Sequence, residues 1–199
     1  HNVLMSGPPG AGKTMAARCL TGILPPLEFE ESMELTKIYS VRGMLGDRKE
    51  IIRQRPFRAP HHTITTTALI GGGVIPKPGE VSLAHNGVLF LDELPEFGNG
   101  AIEAMRQPLE EKCVVIGRLN AAYRFPANIM LVGAMNPCPC GYYPDRNRCK
   151  CTPFERHLYR SRLSGPILDR MDLCLEAEKV EIGQLQKKKS GLSSAEMRE

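Results

Sequence analysis

The feature that most constrains the fold is a glycine-rich stretch near the start of the chain, Gly7-Pro8-Pro9-Gly10-Ala11-Gly12-Lys13-Thr14. An apolar run at residues 3–5 precedes it, and good helix formers at residues 15–20 follow it. This order of strand, loop and helix is the context in which the pattern G-x-x-x-x-G-K-[ST] cradles phosphates. Glycines let successive N–H groups turn toward an anion, and the positive end of the following helix faces the same anion.

The loop therefore predicts that the chain binds ATP together with Mg²⁺. Lys13 supplies a point charge for the β- and γ-phosphates, and Thr14 supplies a hydroxyl for the metal ion. The residues predicted to bind the nucleotide are Gly7, Pro8, Pro9, Gly10, Ala11, Gly12, Lys13, Thr14 and Met15. The alternative is a chance glycine-rich turn, but every fixed position of the pattern is filled and the flanking segments fit it.

The composition is that of an ordinary globular domain and argues against a membrane protein. The 199 residues are 42 % apolar and 24 % charged, and the net charge of +4 does not by itself argue for a nucleic-acid partner. No apolar run approaches the ~20 residues of a membrane-spanning helix, so we expect no membrane partner and a cytoplasmic location. Because the chain begins directly on a strand, we expect it to be a piece of a longer protein.

Two carboxylates follow a second apolar run at residues 88–91, which is typical of a strand buried on both faces of a parallel sheet. An α/β sheet places its catalytic groups at this carboxyl end. We predict that Asp92 holds the Mg²⁺ and that Glu93 orients or deprotonates the attacking water. The alternative is that both carboxylates merely end a strand in solvent.

A third buried strand at residues 129–134 leads to Asn136, which we also predict to be catalytic. A polar amide at this place can reach the γ-phosphate and help to position water. Taken alone, Asn136 is equally compatible with a turn before Pro137.

These motifs resemble a known family. The segments 7–14, 88–93, the strand end at Asn136 and 168–172 resemble, in order, the Walker A, Walker B, sensor-1 and arginine-finger segments of AAA+ ATPases. More narrowly, the segments 57–62, 79–87 and 92–97 resemble the magnesium-chelatase-like branch. Within that branch the segment 135–141, Met-Asn-Pro-Cys-Pro-Cys-Gly, is similar to the ComM/YifB group of bacterial proteins, whereas the chelatase ATPase subunits lack it.

The resemblance implies a fold class and a domain organisation. The fold would be α/β, a P-loop NTPase of the AAA+ type: a three-layer αβα sandwich with a parallel central sheet and with β-hairpin and helix-2 insertions. Residues 1–182 would form this core, with a cysteine segment at 138–151 inserted in it. Residues 183–199 would be a linker toward a helical lid domain, which the family carries beyond the end of this chain.

The resemblance also implies a ring, usually a hexamer, with ATP at the subunit interfaces. Arg170 would then be an arginine finger that acts on the nucleotide of the neighbouring subunit. From the residues alone, this arginine could equally pair with Asp169 or Asp172 on the surface. Arg160 and Arg162 are weaker candidates for the same interface.

Two insertions look like elements that grip nucleic acid in related ring helicases. They are the segment around residues 61–79 and a hairpin around residues 116–123, and the groups predicted to contact DNA phosphates are Arg58, Lys77, Arg118 and Asn120. The alternative is that these are solvated loops with ordinary charges. The adjacent His61 and His62 are interpreted as structural hydrogen-bonding residues rather than as a metal site.

Four of the seven cysteines form a candidate metal site. Cys138 and Cys140, with Cys149 and Cys151, give four thiolates within one loop, which suits tetrahedral Zn²⁺. Reduced free thiols and disulfides are the alternatives, because the C-x-C spacing is not the common C-x₂-C. His157 is a possible substitute ligand, and the three isolated cysteines are expected only to pack.

The function implied by the resemblance is that of a ring-shaped motor powered by ATP hydrolysis. It would be a ComM-like DNA helicase or branch-migration factor in natural transformation and recombination, with single-stranded or branched DNA as its partner. Two alternatives are kept: a chelatase-type ATPase that remodels a protein partner for metal insertion, and a nucleotide-dependent assembly scaffold.

Overall fold

The computed structural model describes residues 1–46, 50–118, 121–178 and 192–198. Its strands are, in chain order, β1 (Val3–Ser6), β2 (Phe57–Arg58), β3 (Gly71–Gly72), β4 (Lys77–Pro78), β5 (Val88–Leu91), β6 (Cys113–Arg118), β7 (Ala121–Pro126), β8 (Met130–Met135) and β9 (Leu173–Glu176). Its helices are α1 (Lys13–Ile23), α2 (Phe29–Arg42), α3 (Thr66–Ile70), α4 (Glu80–Leu83), α5 (Asn99–Ala104), α6 (Arg106–Glu111), α7 (Pro153–Arg160) and α8 (Gly165–Leu168), and a 3-10 helix covers Leu94–Glu96.

The centre of the fold is a five-stranded sheet in the order β2-β5-β8-β1-β9, and every neighbouring pair is parallel. Because the strands are parallel, the loops after β1, β5 and β8 leave the same edge of the sheet. The three predicted motifs at residues 7–14, 92–93 and 136 follow these three strands. Parallel pairing therefore brings together segments that are far apart in the sequence.

The central strands are buried on both faces because alternate side chains point to opposite sides. One face packs against α1, and its core contains Val3, Met5, Ala17, Val88, Phe90, Val132 and Ala134. The other face packs against the helices that follow β2, β5 and β8, and its core includes Leu4, Leu89, Leu91, Leu131, Tyr159 and Ile167. This is the predicted three-layer αβα sandwich with a parallel central sheet.

Residues 99–111 form two short helices, α5 and α6, which meet at Met105. Pro108 explains the break. It has no N–H to donate to the Ala104 carbonyl, so a continuous helix would lack this hydrogen bond and the proline ring would crowd the preceding turn.

Two antiparallel hairpins, β3–β4 and β6–β7, stand outside the central sheet. They lie side by side, because a Cβ added at Gly71 would lie 3.1 Å from the Ile116 side chain and the Arg118 guanidinium donates to the Gly73 carbonyl at 2.6 Å. The tip of the first hairpin exposes Val74 completely and Ile75 largely. The two predicted insertions thus form one projecting unit.

The ends of the chain add little to the core. The strand β9 lies at the sheet edge, with Leu173 and Leu175 exposed. Most of the predicted linker 183–199 lies outside the described residues, so the domain boundary remains a prediction. Within the described part of the chain, no helix combines the length and the apolarity needed to cross a membrane.

Candidate functional site

The loop between β1 and α1 has the shape that its glycines predict. Gly10 and Gly12 have φ values of 79° and 78°, in the left-handed region that residues with a Cβ rarely adopt. Gly12 is the N-cap of α1. The Gly7 N–H donates to the Met135 carbonyl at 3.2 Å, which ties the base of the loop to the end of β8. We call residues 7–14 the phosphate loop.

Lys13 lies inside this loop and is only 9 % exposed. Its Nζ donates to the carbonyls of Gly7 at 2.7 Å and Pro8 at 3.0 Å, and it lies 3.5 Å from Oδ1 of Asn136. Burial lowers the pKa of Lys13 below its ordinary value, while the charge of Asp92 opposes this shift. A phosphate oxygen can replace a carbonyl as acceptor and would restore the ammonium's preference for its charged form.

Thr14 and Asp92 form the predicted magnesium pair. The Thr14 hydroxyl donates to Oδ2 of Asp92 at 2.9 Å across the 78 residues that separate them in the sequence. Two neighbouring oxygens in an octahedral Mg²⁺ shell with bonds of 2.0–2.1 Å lie about 2.9 Å apart. The spacing and the oxygen donors therefore both fit a magnesium ion.

Glu93 is held by a residue that the motif does not contain. Its carboxylate Oε2 lies 3.2 Å from Nδ1 of His62, and its backbone is left-handed, with φ 53° and ψ 45°. Its N–H donates to Oδ1 of Asp92 at 3.0 Å. A cleft of about 250 Å³ opens here, and its lining consists of Thr14, Ala59, Pro60, His61, His62, Phe90, Asp92 and Glu93.

Asn136 lies between the phosphate loop and α7. Its amide oxygen faces the Lys13 ammonium, and its backbone lies close enough to the hydroxyl of Tyr159 on α7 to influence the pKa of that phenol. Tyr159 is 5 % exposed, and this burial raises the pKa of its phenol. These neighbours are compatible with the predicted role of Asn136 beside the phosphates.

The Arg170 side chain forms an ion pair within its own chain. Its guanidinium contacts the Glu110 carboxylate on α6 and donates to the Pro166 carbonyl. The alternative partners considered from the sequence, Asp169 and Asp172, are not the ones it contacts. Arg162, the weaker candidate, makes two 2.7 Å contacts with Glu96.

Arg170 lies at the amino ends of the sheet strands, whereas the phosphate loop lies at their carboxyl ends. The Asn2 side chain, just before β1, donates to the Arg170 carbonyl at 2.9 Å, and the Asp172 N–H donates to the Asn2 carbonyl at 3.0 Å. The phosphate loop begins after β1, about 16 Å further along at ~3.3 Å per residue. Arg170 is therefore placed away from the nucleotide site of its own chain.

Of the residues predicted to contact DNA, Arg58 is engaged elsewhere. Its guanidinium makes two hydrogen bonds to the Glu80 carboxylate, at 2.6 and 2.8 Å, and this hydrogen bonding raises the pKa of Arg58. The pair is mostly buried. This geometry favours a structural role, because a phosphate contact would require breaking a well-aligned ion pair.

Lys77 and Arg118 are exposed on the two neighbouring hairpins. Arg118 makes hydrogen bonds only to backbone carbonyls, of Gly73 and Gly117, so its positive charge has no carboxylate partner among the described residues. The fourth predicted DNA residue, Asn120, lies outside the described residues.

The four predicted metal-binding cysteines converge. The Sγ atoms of Cys138, Cys140, Cys149 and Cys151 all lie within 4.8 Å of one another. Cys138 is 3.3 Å from Cys140 and 3.7 Å from Cys149, well beyond the ~2.05 Å of a disulfide. Thiolates around Zn²⁺ with bonds of ~2.3 Å lie about 3.8 Å apart, so the cluster fits a tetrahedral ion.

The pKa values of the thiols move in both directions. Burial raises the pKa of Cys149, and although a backbone hydrogen bond with Cys140 opposes it, hydrogen bonding with the neighbouring thiols and burial raise the pKa of Cys151 to about 12. A hydrogen bond from the Tyr142 backbone, followed by bonds with the neighbouring thiols, lowers the pKa of Cys140 to about 6, although burial opposes it. A thiolate is the form that binds metal. Of the isolated cysteines that were expected to pack, Cys113 is buried but Cys19 and Cys174 are exposed.

Two residues of the site were not identified from the sequence. His62 was interpreted only as a structural residue. It follows β2, and Glu93 follows β5, so the pairing of these two strands brings the two residues together. Tyr159 gave no signal, because its contact with Asn136 depends on where α7 packs.

Comparison with known proteins identifies the chain's relatives. The family model described as magnesium chelatase, subunit ChlI, matches residues 1–185. The uncharacterized protein YifB of Salmonella typhimurium is 52 % identical over 176 residues, which cover 88 % of this chain and 34 % of YifB. The competence protein ComM of Haemophilus influenzae is 50 % identical over 201 residues, which cover all of this chain and 39 % of ComM. This chain thus spans little more than a third of the length of these relatives.

A solved structure supports the fold. NtrX from Brucella abortus, crystallised with ADP, superposes with a TM-score of 0.52 at 16 % sequence identity, covering 89 % of this chain and 32 % of NtrX. At this identity the likeness shows the fold alone, and it agrees with the predicted P-loop αβα sandwich. The resemblance drawn from the motifs is confirmed: the chain belongs to the magnesium chelatase subunit ChlI family, and within that family it is of the ComM/YifB type.

Proposed function

We propose that this chain is the ATP-hydrolysing core of an AAA+ motor. The observation that carries the proposal is the meeting of three strand ends at one sheet edge, where Thr14 lies 2.9 Å from Asp92 and Lys13 lies beside Asn136. These are the groups that phosphoryl transfer to water requires: a phosphate cradle, a magnesium pair and a carboxylate next to both.

Each residue has a distinct role in hydrolysis. Lys13 neutralises charge on the β- and γ-phosphates, and Asn136 positions the γ-phosphate or the attacking water. Glu93 orients that water and accepts its proton, because its carboxylate borders the cleft that Thr14 and Asp92 also line. When bound between Thr14 and Asp92, Mg²⁺ would neutralise the charge that develops on the phosphates.

The chain is proposed to act in a ring, usually a hexamer, with Arg170 as the arginine finger of the neighbouring subunit. Support comes from the position of Arg170 at the amino ends of the strands, away from the phosphate loop of its own chain. In a head-to-tail ring, one subunit can present this end of its sheet to the nucleotide of the next. Arg170 would exchange Glu110 for the phosphates in the assembled state.

The motor is proposed to act on DNA in the cytoplasm, as a helicase or branch-migration factor in natural transformation and recombination. Two observations support this partner: the relative named competence protein ComM, and the paired hairpins that present Lys77 and Arg118. Point charges on projecting hairpins suit phosphate contacts rather than base readout. Arg58 is not included among the proposed contacts because Glu80 already binds it.

The test measures ATPase rate and DNA binding of the intact protein with and without single-stranded or forked DNA. The double substitution Lys77→Ala/Arg118→Ala should weaken binding and reduce the slope of its salt dependence by ~0.7 for each phosphate that is no longer neutralised. The control Lys37→Ala/Arg42→Ala removes the same charges from exposed positions on α2 and should have no effect. Absence of DNA stimulation together with absence of salt-sensitive binding would contradict a DNA motor.

A second candidate function is a chelatase-type ATPase that remodels a protein partner for metal insertion. The family description favours it, as does the 67 kDa magnesium-chelatase subunit of Heliobacterium mobile, which is 26 % identical over 68 % of this chain. The cysteine segment, by which the chain resembles the ComM/YifB group rather than the chelatase subunits, argues against it. An ATPase that responds to a protein partner and ignores DNA would favour this candidate.

For the cysteine cluster we propose Zn²⁺ as the bound cofactor, held by Cys138, Cys140, Cys149 and Cys151. The ion would supply structural cross-linking rather than catalysis, since four thiolates leave no open coordination position. Elemental analysis of protein prepared in metal-free buffer should give about one zinc per chain. A ratio near zero, with four titratable thiols, would contradict the proposal.

A further inference from the structure

The cysteine segment, residues 138–151, has almost no hydrophobic core of its own. Cys138 and Gly141 are its only buried residues. Arg148 covers the Tyr142 ring at 4.1 Å, and the turn is otherwise closed by backbone hydrogen bonds to the Asp145 carbonyl. A segment this poor in buried apolar surface depends on a cross-link for its shape.

One side of the cysteine segment packs against the phosphate loop. Gly141 has a φ of 83°, and a Cβ at this position would lie 2.8 Å from Cδ of Pro9 and 3.7 Å from Cγ of Asn136. The backbone at Gly141 therefore lies close against the phosphate loop and near the side chain of Asn136. Asn136 is also only two residues before the first cysteine of the cluster.

The other end of the segment determines where α7 begins. Cys151 directly precedes Thr152, whose side chain forms a capping box with Glu155 at the start of α7. This helix carries Tyr159, whose hydroxyl lies near the Asn136 backbone. The first cysteine thus follows Asn136 by two residues in the chain, and the last cysteine precedes α7, whose Tyr159 lies near Asn136.

We propose that the metal in the four-cysteine cluster positions Asn136 beside the phosphate loop, so that metal loading controls the rate of ATP hydrolysis. This inference rests on the ATPase function proposed above. Without the cross-link, the packing of Gly141 against Pro9 and the anchoring of α7 both lose their support. Gly141 and Tyr159 are then positioning residues, which act on hydrolysis through Asn136.

The effect should fall on turnover more than on nucleotide affinity. The affinity for ADP arises from the backbone of the phosphate loop and from Lys13, which β1 and α1 hold independently of the cysteines. Asn136 faces the γ-phosphate side, so its displacement affects the step in which that phosphate leaves. A change in kcat at nearly constant ADP affinity is therefore the expected signature.

The first experiment compares the intact, zinc-loaded protein with the double variant Cys149→Ser/Cys151→Ser. The variant should lose its zinc, and its kcat should fall roughly 10–100-fold, the range typical when support around a metal site is removed, while its ADP dissociation constant changes much less. The control is Cys174→Ser, an exposed cysteine outside the cluster, which should retain zinc and full turnover. Full turnover of the zinc-free variant would overturn the inference.

The second experiment keeps all four thiols, because a protein without its cysteines can fail to fold. In Gly141→Ala the added methyl group crowds Pro9, and Tyr159→Phe removes the hydroxyl that lies near the Asn136 backbone. Both should retain about one zinc per chain and lose turnover, whereas Tyr142→Phe, a matched control within the segment, should lose none. Full kcat in both test variants would overturn the inference. An unmodified, zinc-loaded protein that hydrolyses no ATP would overturn the proposed ATPase itself, which separates the two failures.

Discussion

At the scale of single residues, the site depends on contacts that hold each catalytic group in one orientation. Glu93 is the clearest case, because its backbone occupies the left-handed region at a cost of about 1 kcal/mol. The Glu96 N–H donates to its carbonyl at 2.7 Å, and His62 binds its carboxylate. The site thus maintains a strained residue where hydrolysis needs a base.

Substitution of Glu93 by Gln should separate nucleotide binding from hydrolysis. The amide is nearly isosteric with the carboxylate but cannot accept a proton, so we expect kcat to fall by ~10²–10⁴. ATP should still bind, because the phosphate loop, Thr14 and Asp92 are unchanged. Single-turnover hydrolysis and equilibrium ATP binding measure the two effects. A Glu93→Gln chain that hydrolyses ATP normally would show that Glu93 is not the base, whereas an unmodified protein that binds ATP without hydrolysing it would favour the scaffold function.

His62 should matter more for hydrolysis than its neighbour His61. The His62→Ala variant frees the Glu93 carboxylate, so kcat should fall by roughly 10-fold while ADP affinity stays constant. His61→Ala is the comparison, since the exposed His61 ring hydrogen-bonds only to Thr63 and touches the His62 ring, with centroids 4.1 Å apart, so its effect should be the smaller one. Equal effects of the two substitutions would show that the histidine pair supports the fold rather than Glu93.

At the scale of secondary-structure elements, a single imidazole joins three parts of the fold. His85 follows α4 and is 4 % exposed. Its Nδ1 accepts from the Asn128 N–H at 3.0 Å, just before β8, and its Nε2 lies 3.1 Å from the Glu34 carboxylate on α2. Because Nδ1 is an acceptor, the neutral ring with its proton on Nε2 satisfies both contacts.

This geometry predicts a pH dependence of stability. Burial lowers the pKa of His85 below 6.5, outweighing the hydrogen bond and the charge of Glu34. The unfolded chain therefore binds a proton at a higher pH than the folded chain does. The contribution of His85 is complete above pH 6.5 and is lost as the pH falls through the folded-state pKa, at no more than about 1.4 kcal/mol per pH unit.

Urea unfolding at a series of pH values between 7.5 and 5 measures this contribution, with the pH range bracketing the ordinary histidine pKa. His85→Asn keeps an acceptor near the position of Nδ1 but does not titrate, so the difference between the two proteins should shrink as the pH falls. A difference that stays constant across the range would contradict the assignment.

At the scale of the whole molecule, the proposed nucleotide site lies at the carboxyl ends of the sheet strands, and Arg170 lies at their amino ends. A monomer cannot use its own Arg170 for hydrolysis in this arrangement. The exposed strand β9 directly follows this residue, and the Glu110–Arg170 pair lies beside it. Activity should therefore depend on assembly, and hence on protein concentration.

A mixing experiment with the intact protein tests whether Arg170 acts between subunits. Arg170→Ala should lower kcat by ~10³ or more, and Lys13→Ala should abolish nucleotide binding. In an equal mixture, each Arg170→Ala chain next to a Lys13→Ala chain regains a complete site, so roughly a quarter of the sites should recover in a randomly assembled head-to-tail ring. Arg42→Ala is a control for the removal of a surface arginine. A mixture that remains inactive would show that Arg170 does not act on a neighbour.

Much of the core and of the nucleotide site was predictable because the signals are local. The apolar runs predicted β1, β5 and β8 and their burial on both faces. Parallel pairing places the carboxyl ends of these strands side by side, which brings residues 14, 92 and 136 together. The convergence of four cysteines also followed from their spacing.

The sequence by itself determined the phosphate loop and its place between β1 and α1, because a strand, a glycine loop and a helix N-terminus are arranged by neighbouring residues alone. Only the tertiary structure decided which partner each remaining group received: His62 for Glu93, Tyr159 for Asn136, Glu110 for Arg170 and Glu80 for Arg58. Those contacts join segments brought together by sheet order and helix packing. Several carboxylates and cations in the sequence were possible partners for each of these groups. The partner that each group contacts is the one that the fold places within reach.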